Sequence, residues 1–275
     1  MEHQLNEITG HYTLVDGIKT YFEKIGSGKT ILCLHTAGRD CRQWHPLMEY
    51  FSDKYQMVAL DMPGHGKSWP LKGNVCIDEP RAYGEFIYAF IKAIELEEVV
   101  VIGCSLGGNM TLFLAQKYPD TVNAIVAMEA ADFTPTISAG SLEMIMNPLI
   151  NLPNYNMEFT TSLIGANAEE DAVEFLKWSV WQLTPQAQYG DLKAYSEFDM
   201  RNDMGQISCP VLLLRGEEDW IVNEKMVSET KKRLVRTEAV EFTQLKKLGH
   251  FPHVEKPNIV GELIEEFLDK YLNRI

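Results

Sequence analysis

Basic residues are scarce in this chain: 25 Lys and Arg face 39 Asp and Glu, a formal net charge of −14. Such a surface repels phosphate backbones and anionic headgroups, so neither nucleic acid nor a membrane surface is an expected partner. Nowhere do about 18 apolar residues run together, which excludes a recognisable transmembrane helix. The opening Met-Glu-His-Gln-Leu-Asn-Glu lacks the basic and apolar regions of a secretory signal, and a soluble, cytoplasmic protein is expected. The five cysteines (Cys33, Cys41, Cys76, Cys104 and Cys209) are odd in number and follow neither a disulfide framework nor a CxxC spacing, so they read as reduced thiols. Seven histidines include no HExxH pair, and neither a metal nor another cofactor is expected. Internal repeats, low-complexity tracts and Gly/Ser linkers are also missing.

What remains is enough for a sizeable core: 275 residues, 45% of them hydrophobic. Short Val/Ile/Leu-rich runs at 31–34, 57–60, 99–102, 124–128 and 211–214 lack polar alternation, which suits strands buried on both faces of a parallel sheet. Helical patterns lie between them at 83–94 and 110–118, and a further one at 259–272 keeps a 3.6-residue apolar period. The alternation predicts an α/β fold with a mostly parallel, doubly wound sheet. From about Phe133 to Gln206 the rhythm fails, leaving helix-like segments punctuated by Pro148, Pro153 and Pro185. The expected organisation is therefore a core of residues 1–132 and 206–275 with a helical cap inserted over 133–205.

Chemistry enters at Val99-Val-Val-Ile-Gly-Cys-Ser-Leu-Gly-Gly108, where a strand runs straight into GxSxG and a helix follows. With Gly and Ser each near 7% of residues, GxSxG arises by chance about 0.1 times in such a chain. Its placement between strand and helix is what carries weight. A serine on so sharp a turn needs small neighbours, and the helix behind it aims N–H groups at a developing oxyanion. A serine hydroxyl also needs an imidazole to take its proton and a carboxylate to orient that imidazole. Downstream, in that order, lie Gly216-Glu-Glu-Asp-Trp-Ile-Val222 and Leu248-Gly-His-Phe-Pro-His-Val-Glu-Lys-Pro257, each after an expected strand. Loops at the carboxyl ends of strands are where open α/β sheets place their sites.

With these motifs the chain resembles the α/β-hydrolase fold family, in its lid-bearing esterase, lactonase and carbon–carbon hydrolase branch, nearly end to end. His35-Thr-Ala-Gly-Arg-Asp-Cys-Arg-Gln-Trp44 is similar to that family's oxyanion loop, and Asp61-Met-Pro-Gly-His-Gly-Lys-Ser68 to the loop after the next strand. The resemblance implies Ser105 as nucleophile, Asp219 as acid, His250 as base, and the backbone N–H groups of Leu106 and Ala37 as the oxyanion hole. It departs at Thr36, where the family usually has glycine. The implied activity is hydrolysis of a small carboxylic ester or lactone, with a vinylogous diketone's C–C bond as one alternative and slow-turnover small-molecule reception as another.

Several residues compete for these roles. His253 follows His250 by three, and Glu129 or Asp132, after the sixth strand, offer a second place for the acid. His35 and His65 read as hydrogen-bonded loop residues, and Cys104 as packed beneath the elbow. In the cap, Trp178 and Trp181 share a helical face; with Thr36 they are the candidates for contact with a small apolar or aromatic substrate. Arg39 and Arg42 present two cations near the oxyanion loop, read as solvated surface charges in preference to carboxylate ligands.

Overall fold

The computed structural model describes residues 7–69, 76–237 and 239–272; of the opening polar stretch, residues 1–6 lie outside them. Eight strands, β1 (Thr9–Val15), β2 (Ile18–Ile25), β3 (Thr30–Leu34), β4 (Gln56–Leu60), β5 (Val99–Cys104), β6 (Val122–Met128), β7 (Val211–Gly216) and β8 (Val240–Leu245), form one sheet. Their order is β1-β2-β4-β3-β5-β6-β7-β8. Only the β1–β2 and β2–β4 pairs are antiparallel.

Every residue of β3, β5 and β7 is buried, because helices cover both faces and successive side chains serve opposite layers. Leu32, Leu34 and Val101 join a core with α2 (Pro80–Ala93) and α3 (Leu106–Lys117). Ile31, Cys33 and Ile102 face the other way, against α1 (His45–Phe51) and α10 (Pro257–Tyr271). The 3.6-residue period read at 259–272 is this last helix, with Val260, Ile264, Phe267 and Leu268 buried.

Between β6 and β7 the chain leaves the sheet for α4 (Ala139–Ile145), α5 (Leu152–Thr161), α6 (Glu170–Ser179) and α7 (Pro185–Ser196). Two of these helices, α5 and α7, carry prolines at their first turns, where the missing N–H is harmless. Thr184 caps α7 by accepting the Ala187 N–H. An isolated antiparallel bridge between Phe133 and Asp199 closes the base of the excursion. After β7 come α8 (Glu224–Arg233) and the short α9 (Pro252–Glu255). No helix among the described residues is long and apolar enough to cross a membrane.

Candidate active site

Ser105 is the pivot between β5 and α3. Its backbone takes φ 56° and ψ −121°, a strained conformation for a residue with a side chain. The surroundings hold it there: its N–H donates to Met128 O and its carbonyl accepts from Asn109 N–H. A Cβ on Gly107 would lie 2.2 Å from Leu34 O, so the first turn of α3 can approach β3 only because that position is glycine. The helix consequently begins directly after Ser105, four residues earlier than the sequence pattern indicates.

Asp219 and His250 come together from the loops after β7 and β8. His250 Nδ1 lies 2.7 Å from Asp219 Oδ2, and both side chains are buried. Asp219 Oδ1 accepts the Ile221 N–H at 2.8 Å. Burial works against ionising Asp219, yet the charge and hydrogen bond of His250, joined by Glu129 and the Ile221 N–H, hold it well below the usual carboxylate range. A carboxylate in that state leaves the proton on His250 Nδ1 and frees Nε2 to accept. Each loop has its own clamp. Arg215 donates to the carbonyls of Asp219 and Val222, while Glu255 accepts the N–H groups of Gly249 and Phe251 on either side of His250. Beneath them the Cys104 thiol donates to His250 O.

The loop after β3 approaches from the other side. Gly38, at φ 67°, makes the turn, so Thr36 need not adopt a positive φ and a β-branched residue is tolerated where glycine is usual. Gln43 Oε1 accepts both the N–H and the hydroxyl of Thr36. Its amide N–H therefore donates to His253 Nε2, 2.6 Å away, and His253 stacks on Trp44. Gly38 N–H donates to Asp191 of α7 at 2.5 Å. Among the described residues, the N–H groups of Ala37 and Leu106 have no acceptor.

Ser105, His250 and the Thr36–Arg39 loop all border one cavity of about 520 Å³, roofed by α4, α5 and α7 through residues such as Ile145, Phe159 and Leu192. Its walls are largely apolar, which suits a small organic ligand held by a few polar groups.

A family model described as alpha/beta hydrolase fold matches residues 29–150. The chain has the α/β-hydrolase fold. Curated relatives of this hydrolase-fold chain include the pimeloyl-[acyl-carrier protein] methyl ester esterase of Aeromonas hydrophila, 24% identical over 90% of this chain and 98% of the relative. Another is the 2-(acetamidomethylene)succinate hydrolase of Mesorhizobium japonicum, 26% identical over 89% of each. Among solved structures, the enol-lactonase from Burkholderia xenovorans LB400 superposes with a TM-score of 0.84 at 15% identity, covering 94% of this chain and 99% of that one.

Within this hydrolase fold the sequence-derived candidates separate. Ser105, Asp219, His250, Ala37 and Thr36 converge as described. Trp178 and Trp181 do not border the cavity: they are 48% and 57% exposed, and Trp178 packs on Phe175 and under the Arg42 guanidinium. Helical spacing places them on one face, and that face looks outward. Asp132 is engaged with Arg233 and Thr230. His35 and His65 are buried loop residues, the latter paired with Asp191 at 2.9 Å. Arg42 is a partly exposed partner of Asp40, whereas Arg39 is only 7% exposed and borders the cavity. The surface reading is therefore wrong for Arg39, whose side chain turns inward toward Thr160 of α5.

Proposed function

We propose that the protein is a serine hydrolase that cleaves a small carboxylic ester or lactone through an acyl-enzyme on Ser105. The observation that carries this reading is the convergence of a serine in a strained strand-to-helix turn with an Asp219-oriented His250 on one apolar cavity. In this reading His250 Nε2 takes the Ser105 proton as Oγ attacks the carbonyl carbon. The oxyanion that forms is met by the N–H groups of Ala37 and Leu106 at the start of α3, a preorganised pair of dipoles. Collapse of the tetrahedral intermediate transfers the proton from His250 to the departing alkoxide, leaving the acyl group on Ser105. Water, deprotonated by the same imidazole, then attacks the acyl carbon, and collapse of the second intermediate releases the acid and restores the serine. The helical excursion acts as a cap, excluding bulk water and bounding substrate size.

The relatives' ester, lactone and succinate-derivative names support the reaction class without fixing the substrate. A fluorophosphonate should label Ser105, with the adduct mapped there by mass spectrometry, and p-nitrophenyl butyrate should be turned over. Ser105→Ala should remove both signals, with a loss of about 10⁴-fold or more in kcat. Chelators should leave turnover intact, since triad and dipoles supply base, nucleophile and anion stabilisation. A folded Ser105→Ala protein with normal turnover would overturn the proposal.

A further inference from the structure

We propose that Arg39 is an anion clamp in the cavity, so that the substrate carries a carboxylate, or an equivalent small anionic group, a short distance from its scissile carbonyl. The inference rests on the serine-hydrolase reading above and adds the substrate's charge.

Arg39 lies two residues past Ala37 and borders the cavity. Its guanidinium packs 5.6 Å over the Phe251 ring, and that ring in turn meets the His250 imidazole edge-on at 5.3 Å. The cation is thus beside the reacting groups. It also has no ion-pair partner among the described residues. Nη1–H donates to Gly38 O and Nη2–H to Thr160 Oγ1, both neutral acceptors. Buried Nε has no acceptor among the described residues, and no carboxylate among them forms an ion pair with the group. The nearest acid in sequence, Asp40, is taken by Arg42 through Nε at 2.8 Å and through Nη2.

A buried cation with no ion-pair partner and a donor left unsatisfied is unfavourable unless something completes it. Burial pulls the guanidinium pKa down to about 10, against the opposing charge of Asp40. At neutral pH it stays charged all the same. Five N–H donors less the two engaged leaves three, a surplus suited to a carboxylate accepting two hydrogen bonds. A net charge of −14 does not draw anions to the chain, so any preference for an anionic ester has to arise inside the cavity. The bland alternative is that Arg39 merely ties its loop to α5 through Thr160. That role is blind to the substrate's charge.

The test compares p-nitrophenyl hydrogen glutarate with p-nitrophenyl valerate, esters of matched length that differ in a terminal carboxylate. Wild type should favour the glutarate in kcat/KM by about 10- to 100-fold, the span of a charge-assisted hydrogen bond. Arg39→Gln should collapse that ratio by at least tenfold, and Arg39→Lys should retain a preference. General damage to the fold affects both esters and cancels in the ratio. Calorimetric binding of monomethyl glutarate to Ser105→Ala protein, with and without Arg39→Gln, reads the clamp without turnover and should weaken by the same factor. Equal rates for the two esters in wild type, a ratio unmoved by Arg39→Gln, or binding indifferent to that change would each overturn the proposal. If neither ester is turned over and no fluorophosphonate adduct forms, the hydrolase reading fails instead, and the binding measurement alone decides on Arg39.

Discussion

Asp219 and Glu129 both lie close to His250, and their ionisation is pushed in opposite directions. Glu129, in the turn after β6, is fully buried, and its Oε1 accepts the Gly216 N–H. One ligand atom each from Glu129, Asp219 and His250 lie within 4.8 Å of one another. Burial first, then the charge of Asp219 and a hydrogen bond to it, push the Glu129 carboxyl well above the usual range. The shift favours the protonated form of Glu129, which can donate a hydrogen bond to Asp219. It is a positioning residue that steadies the acid. Asp219→Asn should lower kcat by roughly 10²- to 10⁴-fold, measured against a p-nitrophenyl ester. Glu129→Gln keeps an N–H donor and should lose about tenfold at most. A silent Asp219→Asn beside a crippling Glu129→Gln would instead make Glu129 the acid. Sequence order names both residues as rivals, but their meeting is a contact across 90 positions that no local pattern records. The same holds for Gln43 on His253 and Arg39 on Phe251.

At the level of elements, what is legible is what local physics dictates. Uniform apolar runs reveal β3 to β7 because both faces are buried, and glycines at fixed offsets reveal the turn at Ser105. The edge strand β1 and its neighbour β2 escape notice, since their mixed burial patterns break the apolar run, and β8 is expected only as the strand before the His250 loop, its own mixed pattern leaving no apolar run to mark it. Helical spacing pairs Trp178 with Trp181 yet says nothing of which way the pair looks. How the excursion docks is equally hidden, because it depends on Asp191. This residue of α7 is wholly buried and accepts hydrogen bonds from Gly38 N–H, His65 and the Tyr83 hydroxyl. One carboxylate therefore joins the roof to the loop after β3 and to α2. The charge and hydrogen bond of Asp191 outweigh burial and raise the pKa of His65. Removing one member of a buried pair leaves the other uncompensated. Asp191→Asn should destabilise the fold by about 3–5 kcal/mol in urea unfolding, and kcat/KM should drop in the surviving folded protein as the Ala37 N–H loses its fixed direction. Unchanged stability and turnover would show that the roof docks without this contact.

Across the whole molecule, buried titratable groups act on stability in opposite directions, so the pH profile of the wild type alone cannot identify any of them. Glu129, Glu255 and Asp61 are held above the usual carboxyl range, Asp61 at about 6, with burial the leading cause for each. Their contributions are complete below the unfolded carboxyl value and fade as pH rises through the folded one. His35 and His253 do the reverse. Burial, with the charge of a neighbouring histidine, lowers them to about 4 and about 3. As pH falls below about 6.5 the unfolded chain binds a proton at each while the folded chain does not, so stability is lost downward at about 1.4 kcal/mol per pH unit per histidine. A difference between two proteins isolates one such group. His253→Gln removes the titration while keeping a side chain able to hydrogen-bond Gln43. Its stability penalty, measured by urea unfolding at pH 7, should shrink by about 2 kcal/mol at pH 5, because only the wild type suffers the proton uptake in between. A penalty independent of pH would mean that His253 takes up its proton in the folded state over the same pH range as in the unfolded chain. Gln43 would then have to turn its amide oxygen toward the ring and abandon Thr36, and the loop after β3 would lose the contact that orients it.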